Sequence, residues 1–154
     1  MTTTKSDQMT QVDASPPTVL STTDWHGRLR LGYFSYTQGA NGSIGDDVEL
    51  LRLPPGRCRV LGHLCRVTAS DKAAGATLAL GWATHTTAGT SVAADPDGLA
   101  AASDIASGPT TITPLAAPYR QFDSDGGVTL TATFGVVAPL AGDTVEGHVV
   151  YVQD

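Results

Sequence analysis

Short runs in which apolar and polar side chains alternate are the feature of this sequence that most restricts its fold. In the clearest run, residues 128–136, Val, Leu, Ala, Phe and Val occupy the even positions and Thr occupies three of the odd positions. A period of two places successive side chains on opposite faces of a β-strand, whereas an amphipathic helix needs a period of roughly 3.6. Further runs of this kind lie at 28–36, 47–53, 57–68, 76–85 and 144–152. The sequence therefore predicts an all-β protein.

Clusters of turn-forming residues separate these runs. They include GANGSIGDD (39–47), Pro54-Pro55-Gly56 and DSDGG (123–127), all rich in residues that favour turns or interrupt a ladder. No amphipathic segment between them is long enough for the helix that joins parallel strands. We therefore expect an antiparallel β-sandwich over residues 25–154, with a jelly roll of seven to eight strands as the favoured topology.

Within that domain the phase of the alternation predicts local details. The switch of apolar residues around Gly32 indicates a β-bulge, and the Ala-rich stretch at 97–107 fits either one or two helical turns or a long loop. The runs 128–136 and 144–152, joined by a short turn, are expected to pair as a hairpin. The predicted core consists of Leu29, Leu31, Val60, Val67, Leu78, Leu80, Trp82, Leu130, Phe134, Val149 and Tyr151.

Residues 1–24 have no periodicity and are rich in Thr, Ser and Pro. This composition predicts an extended N-terminal arm that cannot bury enough apolar surface to fold alone. The arm is expected to become ordered only in contact with a neighbouring subunit or another partner protein. Its candidate contact residues are Val12, Pro16, Pro17, Val19 and Leu20.

Composition and charge narrow the class of partner. Ala, Thr and Gly supply 58 of the 154 residues, which suits thin strands and small-residue loops. The net charge is −6, which argues against duplex nucleic acid as a partner. The charge is unevenly spread, however: residues 26–66 sum to +3 and residues 67–154 to −7. Arginines of the basic part are therefore candidates for facing an acidic surface: Arg28, Arg30, Arg52, Arg57 and Arg59.

The sequence carries no recognisable catalytic motif, and we expect a protein that is not an enzyme and needs no cofactor or metal. Cys58, His63 and Cys65 lack the paired spacing of a structural zinc site, and residues 123–127 lack the later ligands of a calcium loop. No apolar stretch reaches the roughly 20 residues of a membrane helix, and the N-terminus has no secretory signal, so synthesis in the cytoplasm is expected. The aromatic residues leave a sugar-binding face open as an alternative: Trp25, Tyr33, Tyr36, Trp82 and Tyr119.

Three segments carry a family resemblance: DDVELLRLPPGRCRVLG (46–62), GATLALGWAT (75–84) and GGVTLTATFGVVAPLAGDTVEGHVVYV (126–152). They resemble small structural proteins of tailed bacteriophages, among them capsid decoration (cement) proteins. The resemblance implies a β-sandwich or jelly-roll homotrimer on the exterior of the virion, bound to the major capsid protein and sealing the junctions between capsomers. It transfers no catalytic residues. A head-fibre or tail-associated carbohydrate-binding β-module is the alternative.

Overall fold

The computed structural model describes residues 28–70, 74–106, 110–112 and 119–153, and these residues form twelve strands and one 3-10 turn. The strands are β1 (Arg28–Thr37), β2 (Asp47–Leu53), β3 (Gly56–Val60), β4 (Arg66–Ala69), β5 (Thr77–Trp82), β6 (His85–Thr87), β7 (Thr90–Val92), β8 (Asp95–Asp104), β9 (Thr110–Ile112), β10 (Arg120–Ser124), β11 (Val128–Gly135) and β12 (Thr144–Gln153). The 3-10 turn spans Gly62–Leu64. The predicted arm, residues 1–24, lies outside the described residues.

The strands form two antiparallel sheets that pack face to face, and a separate β6–β7 hairpin. In sheet A, β12 pairs along its whole length with β1 on one side and with β3 and β4 on the other. Next come β10, which pairs with β3, and β9, which pairs with β4. Sheet B has the order β2-β11-β5-β8.

This strand order is that of a jelly roll. Because β3 and β4 lie end to end against β12, they occupy one strand position, and β9 and β10 likewise share the next position. When the eight strand positions are numbered in chain order, the order of positions is 1-8-3-6 across sheet A and 2-7-4-5 across sheet B. The predicted antiparallel β-sandwich is confirmed, and the eight positions agree with the predicted jelly roll.

The long strand predicted over 57–68 is interrupted near its middle. Residues 61–65 leave the ladder in a 3-10 turn, while Leu61 N–H still donates to Val150 O at 2.9 Å. The buried Cys65 thiol donates to Leu61 O at 3.2 Å, and Val150 N–H donates to Cys65 Sγ at 3.3 Å. The Cys65 sulfur therefore links residues 61–65 to β12 through a hydrogen bond.

Most of the predicted core residues lie buried between the two sheets. They are Val60, Val67, Leu78, Leu80, Trp82, Leu130, Phe134 and Val149. Tyr151 is half-buried and packs against this core. The prediction was wrong for Leu29 and Leu31, which are 64% and 67% exposed.

The error at Leu29 and Leu31 comes from the phase of β1. Its pairing with β12 runs from Arg28↔Gln153 to Thr37↔Thr144 without a shift, so the predicted bulge at Gly32 is absent. Phe34 and Tyr36 face the core, and Gly32 lies on the same side. A Cβ at Gly32 would sit 3.2 Å from Leu51 Cδ2, so the close approach of β1 to sheet B favours glycine there.

The Ala-rich stretch is a strand rather than a helix or a loop. β8 pairs with β5, with irregular register on both sides of Leu80. At one of these irregularities Gly98 packs on the Trp82 ring so closely that a Cβ would lie 2.3 Å from Trp82 Cη2. Alanine is the best helix former, but its advantage over most other residues is at most about 0.7 kcal/mol per residue, and pairing with a buried strand outweighs it.

The predicted hairpin between 128–136 and 144–152 is also wrong, because the two strands lie in opposite sheets. β11 pairs with β2 and β5, whereas β12 pairs with strands of sheet A. The chain leaves β11 at Val136, which has a φ of 64° and is 64% exposed instead of facing the core. The link then crosses the end of the sandwich, where Gly42 N–H donates to Pro139 O.

Candidate docking surface

An exposed apolar stripe runs along β1 on the side of sheet A that faces away from sheet B. It consists of Leu29, Leu31 and Tyr33, with exposed fractions of 64%, 67% and 69%. The three side chains share one face because successive strand residues alternate, and the opposite face holds the buried Phe34. Single exposed apolar residues are ordinary, but a contiguous row of three marks a candidate interaction site.

The register between strands shows which residues share this outer face of sheet A. Cross-strand partners point to the same side of an antiparallel sheet. Leu29, Leu31 and Tyr33 stand opposite Val152, Val150 and His148 of β12, and Val152 and His148 stand opposite Arg59 and Arg66 of the next position. The outer face of sheet A therefore has an apolar half on β1 and β12 and an arginine-bearing half on β3 and β4.

A shallow groove of about 360 Å³ lies where the two halves meet. It is lined by Tyr33, Arg66, Thr68, Glu146, Gly147 and His148. Arg66 donates from one terminal nitrogen to Thr111 Oγ1 at 3.3 Å, and His148 Nε2 lies 3.2 Å from the carbonyl oxygen of Leu64, to which it can donate. These contacts hold a cation and an imidazole at the rim of the groove.

The arginines of β3 are held against the sheet. The Arg57 guanidinium lies 3.6 Å from the Asp123 carboxylate, and both side chains are about half exposed. Arg59 is 9% exposed, with its guanidinium carbon 4.4 Å from the centre of the Tyr119 ring. An exposed ion pair adds little stability, whereas the stacked and buried Arg59 has a fixed position on the outer face.

The two sheets carry opposite charge. The strands of sheet A hold six arginines and two carboxylates, and those of sheet B hold one arginine and five carboxylates. With His neutral, the net charge is thus +4 on the strands of sheet A and −4 on those of sheet B. The uneven charge along the sequence becomes a charge difference across the sandwich.

The predicted arginines do not all lie on one surface. Arg57 and Arg59 lie on the outer face of sheet A, whereas Arg28 and Arg30 are exposed at the start of β1 but point to the same side as Phe34. Arg52 lies on the outer side of sheet B, opposite Thr129 of β11. The arm residues Val12, Pro16, Pro17, Val19 and Leu20 lie outside the described residues. Sequence reasoning missed the β1 stripe, Arg66 and His148; the alternation of Arg and Leu in RLRL was the available signal.

A second, smaller cavity of about 160 Å³ lies at the end of sheet A that carries β10. Its wall includes Trp82, Phe122 and His85, and the Arg120 guanidinium stands 4.6 Å from the Trp82 ring centre. Trp82 is only 3% exposed, so its ring offers no open stacking platform. Of the aromatics named for sugar binding, Tyr33 and Tyr119 are exposed, Tyr36 is half-buried, and Trp25 lies outside the described residues.

The residues considered for metal binding have structural roles in the described part of the chain. Cys58 and Cys65 are buried free thiols, and burial raises the pKa of Cys65 above its ordinary value of 9.0. Asp125 accepts hydrogen bonds from the N–H groups of Ala88 and Gly89, so the 123–127 turn anchors the β6–β7 hairpin. Within the described ranges, no three His, Cys, Asp or Glu side chains are grouped to hold a metal. No helix there is long and apolar enough to cross a membrane.

Comparison with known proteins identifies structural neighbours but no sequence family. No family model and no curated protein matches the chain. A chain in the capsid of Ralstonia phage GP4 is similar to it, with a TM-score of 0.59, 20% identity, and coverage of 83% of this chain and 86% of that chain. A chain in the capsid asymmetric unit of cyanophage Pam1 is similar with a TM-score of 0.57, 18% identity, and coverage of 92% and 97%. At these identities the likeness shows a shared fold.

Proposed function

We propose that this chain is a non-enzymatic structural protein of a phage virion, and more specifically a decoration protein that binds the outer surface of the capsid and stabilises the junctions between capsomers. The observation that carries the proposal is the shared fold with chains of two phage capsids. Because each alignment covers similar shares of both chains, the matched chains are about as long as this one, and the likeness extends over nearly the whole molecule.

The shape of the described domain supports a role on a surface. The sandwich has a closed core and presents an apolar and basic face, which a subunit can use to bind a preformed shell. In this proposal the partner is the major capsid protein, the chain is a homotrimer on the virion exterior, and synthesis takes place in the host cytoplasm. The predicted N-terminal arm adds a second attachment through Val12, Pro16, Pro17, Val19 and Leu20.

The arginine contacts are part of the proposal in a reduced form. Arg57 and Arg59 lie on the outer face of sheet A and belong to the proposed contact with an acidic capsid surface, whereas Arg28 and Arg30 alternate with Leu29 and Leu31 and point to the other side of β1. Arg52 is left out because it lies on the opposite side of the sandwich.

The experiment compares particles of the virus that encodes the chain, prepared with and without it. The purified chain is expected to co-sediment with the particles that lack it and to raise the temperature at which they release their genome. Cryo-electron microscopy of the restored particles then locates the chain, which we expect on the outer shell. Density at a head fibre or on the tail would support the alternative, a head-fibre or tail-associated role, and would contradict decoration. Absence of the chain from the particles would refute the proposal.

A further inference from the structure

We infer that the outer face of sheet A is the surface that meets the shell, that its occupant is an acidic and partly apolar patch of the capsid protein, and that sheet B faces away from the particle. This inference rests on the proposed function and adds the orientation of the domain. It follows from three properties of the described strands: the apolar stripe, the groove and the opposite charges of the two sheets.

The stripe on β1 supplies the apolar part of the contact. Leu29, Leu31 and Tyr33 are each about two-thirds exposed, and Leu31 stands opposite the half-buried Val150 of β12, while Val152, opposite Leu29, is buried. A tyrosine next to exposed aliphatic side chains is typical of the centre of a protein interface, where large rigid side chains are buried on binding. Burying this row against a partner would remove apolar surface that the described chain leaves in water.

The groove supplies the specific polar part. The Arg66 guanidinium has five N–H donors, and the described contacts use it only toward Thr111. A carboxylate of the partner entering between Tyr33 and His148 would find these remaining donors at the groove wall, in competition with the Glu146 carboxylate that lines the same groove. A charged hydrogen bond of this kind, with the apolar stripe excluding water beside it, is stronger than an exposed ion pair.

The opposite charges determine which side approaches an acidic shell. The sheets of a sandwich are separated by about 10 Å, which is close to the Debye length at physiological ionic strength. The strands of sheet A carry a net charge of +4 and those of sheet B −4, so the two sides have fields of opposite sign. Of the six arginines on sheet A, Arg57, Arg59 and Arg66 lie on its outer face. An acidic surface attracts sheet A and repels sheet B, which orients the domain before contact.

The same charges argue against a second copy as the occupant of this face. A symmetric face-to-face contact would place the arginines of one sheet A against those of the other, and like charges facing each other across an interface cost affinity. Contact of sheet A with sheet B of another copy would satisfy the charges and could close into a ring, so the mass of the free variants is measured to test it.

Three charge-matched variants test the orientation: Arg57→Glu and Arg66→Glu on the outer face of sheet A, and Arg52→Glu on the outer side of sheet B. Each changes the net charge by the same amount. Capsid binding is measured by co-sedimentation at several salt concentrations, together with Leu31→Ser. We expect the two sheet A variants and Leu31→Ser to weaken binding at least about tenfold, and Arg52→Glu to change it less than about twofold. Binding of the unmodified chain should weaken as salt rises.

Each outcome separates this inference from the proposed function. If the unmodified chain does not bind particles, the proposed function fails first. If it binds and Arg52→Glu is as harmful as Arg66→Glu, the orientation is wrong while the function stands. Thermal unfolding confirms that each variant is folded, and light scattering measures the mass of the free protein. If the sheet A variants change that mass and leave capsid binding intact, the face joins copies of the chain, and the inference is overturned.

Discussion

The contact between Gly98 and Trp82 leaves no room for a larger residue at position 98. A Cβ there would lie 2.3 Å from the ring, far inside van der Waals distance, and the ring is buried beneath Arg120. We expect Gly98→Ala to lower the free energy of unfolding by about 1–3 kcal/mol, the usual cost of overpacking. Urea unfolding measures the loss. Gly39→Ala is the matched control, since a Cβ at Gly39 meets nothing within 4 Å.

Phe134 and Leu31 are both apolar strand residues, yet only one of them contributes to the core. Phe134 is 1% exposed and Leu31 is 67% exposed. Truncation of Phe134 to Ala should cost about 3–5 kcal/mol of stability because it leaves a cavity. Leu31→Ser should change stability by less than about 0.5 kcal/mol. A large loss for Leu31→Ser in thermal unfolding of the free chain would contradict the assignment of this residue to the surface.

The buried Cys65 thiol links stability to pH. Burial raises its pKa in the folded protein, so the folded state keeps the proton to higher pH than the unfolded state. The contribution to stability is therefore complete below about pH 9 and falls as the pH rises through the folded pKa. Urea midpoints should decrease as the pH rises above about 9, and Cys65→Ala should flatten this decrease. A thiol reagent should label Cys65 in the native protein much more slowly than in urea, and fast native labelling would contradict its burial.

For single residues, the sequence predicts burial well where a strand has one apolar face. The alternation in 128–134 correctly places Val128, Leu130 and Phe134 in the core. β1 is different because both of its faces carry large apolar side chains, Leu29 and Leu31 on one and Phe34 and Tyr36 on the other. The sequence pattern alone cannot decide which face of β1 the second sheet covers. It therefore identifies the three residues of the stripe as apolar strand residues but does not predict that they are exposed.

Among the elements, removal of the predicted N-terminal arm should weaken binding to the particle without affecting the folding of the domain. Deletion of residues 1–20 removes none of the residues in the described core. We expect the shortened chain to unfold at the same temperature as the full chain and to bind particles at least tenfold more weakly, a loss of about 1.4 kcal/mol. Circular dichroism and co-sedimentation measure the two properties. Unchanged occupancy on the particle would show that the arm is dispensable.

The sequence predicts the strands better than their partners. Turn clusters bound β2 and β11 closely, because Pro54-Pro55 and the glycines at 126–127 stop a ladder. Strands that follow one another along the chain usually pair, and for this reason the last two strands were expected to form a hairpin. In a jelly roll the chain instead passes from one sheet to the other at this point, and only long-range packing decides that. β8 was missed because its apolar residues are small and its register is irregular.

For the whole molecule, we expect a homotrimer on the particle. The core of each chain includes small residues such as Ala69, Ala76 and Ala132 beside the larger ones, and burial of further surface between copies would add to its stability. Cyclic symmetry of this order matches a threefold site of a capsid lattice. Native mass spectrometry of the protein released from particles, together with the symmetry of its density, measures the copy number. A dimer both in solution and on the particle would contradict the expectation.

The central place of β12 in sheet A also dictates when the domain can be completed during synthesis. Arg28 at the start of β1 pairs with Gln153, and β3 and β4 need β12 to join them to β1. Sheet A therefore cannot assemble while β12 is still inside the ribosome, and its earlier strands must wait with open edges. Pairings so distant in sequence are slow to form. A chain terminated before β12 cannot present the outer face of sheet A, so prematurely ended products are barred from binding through that face.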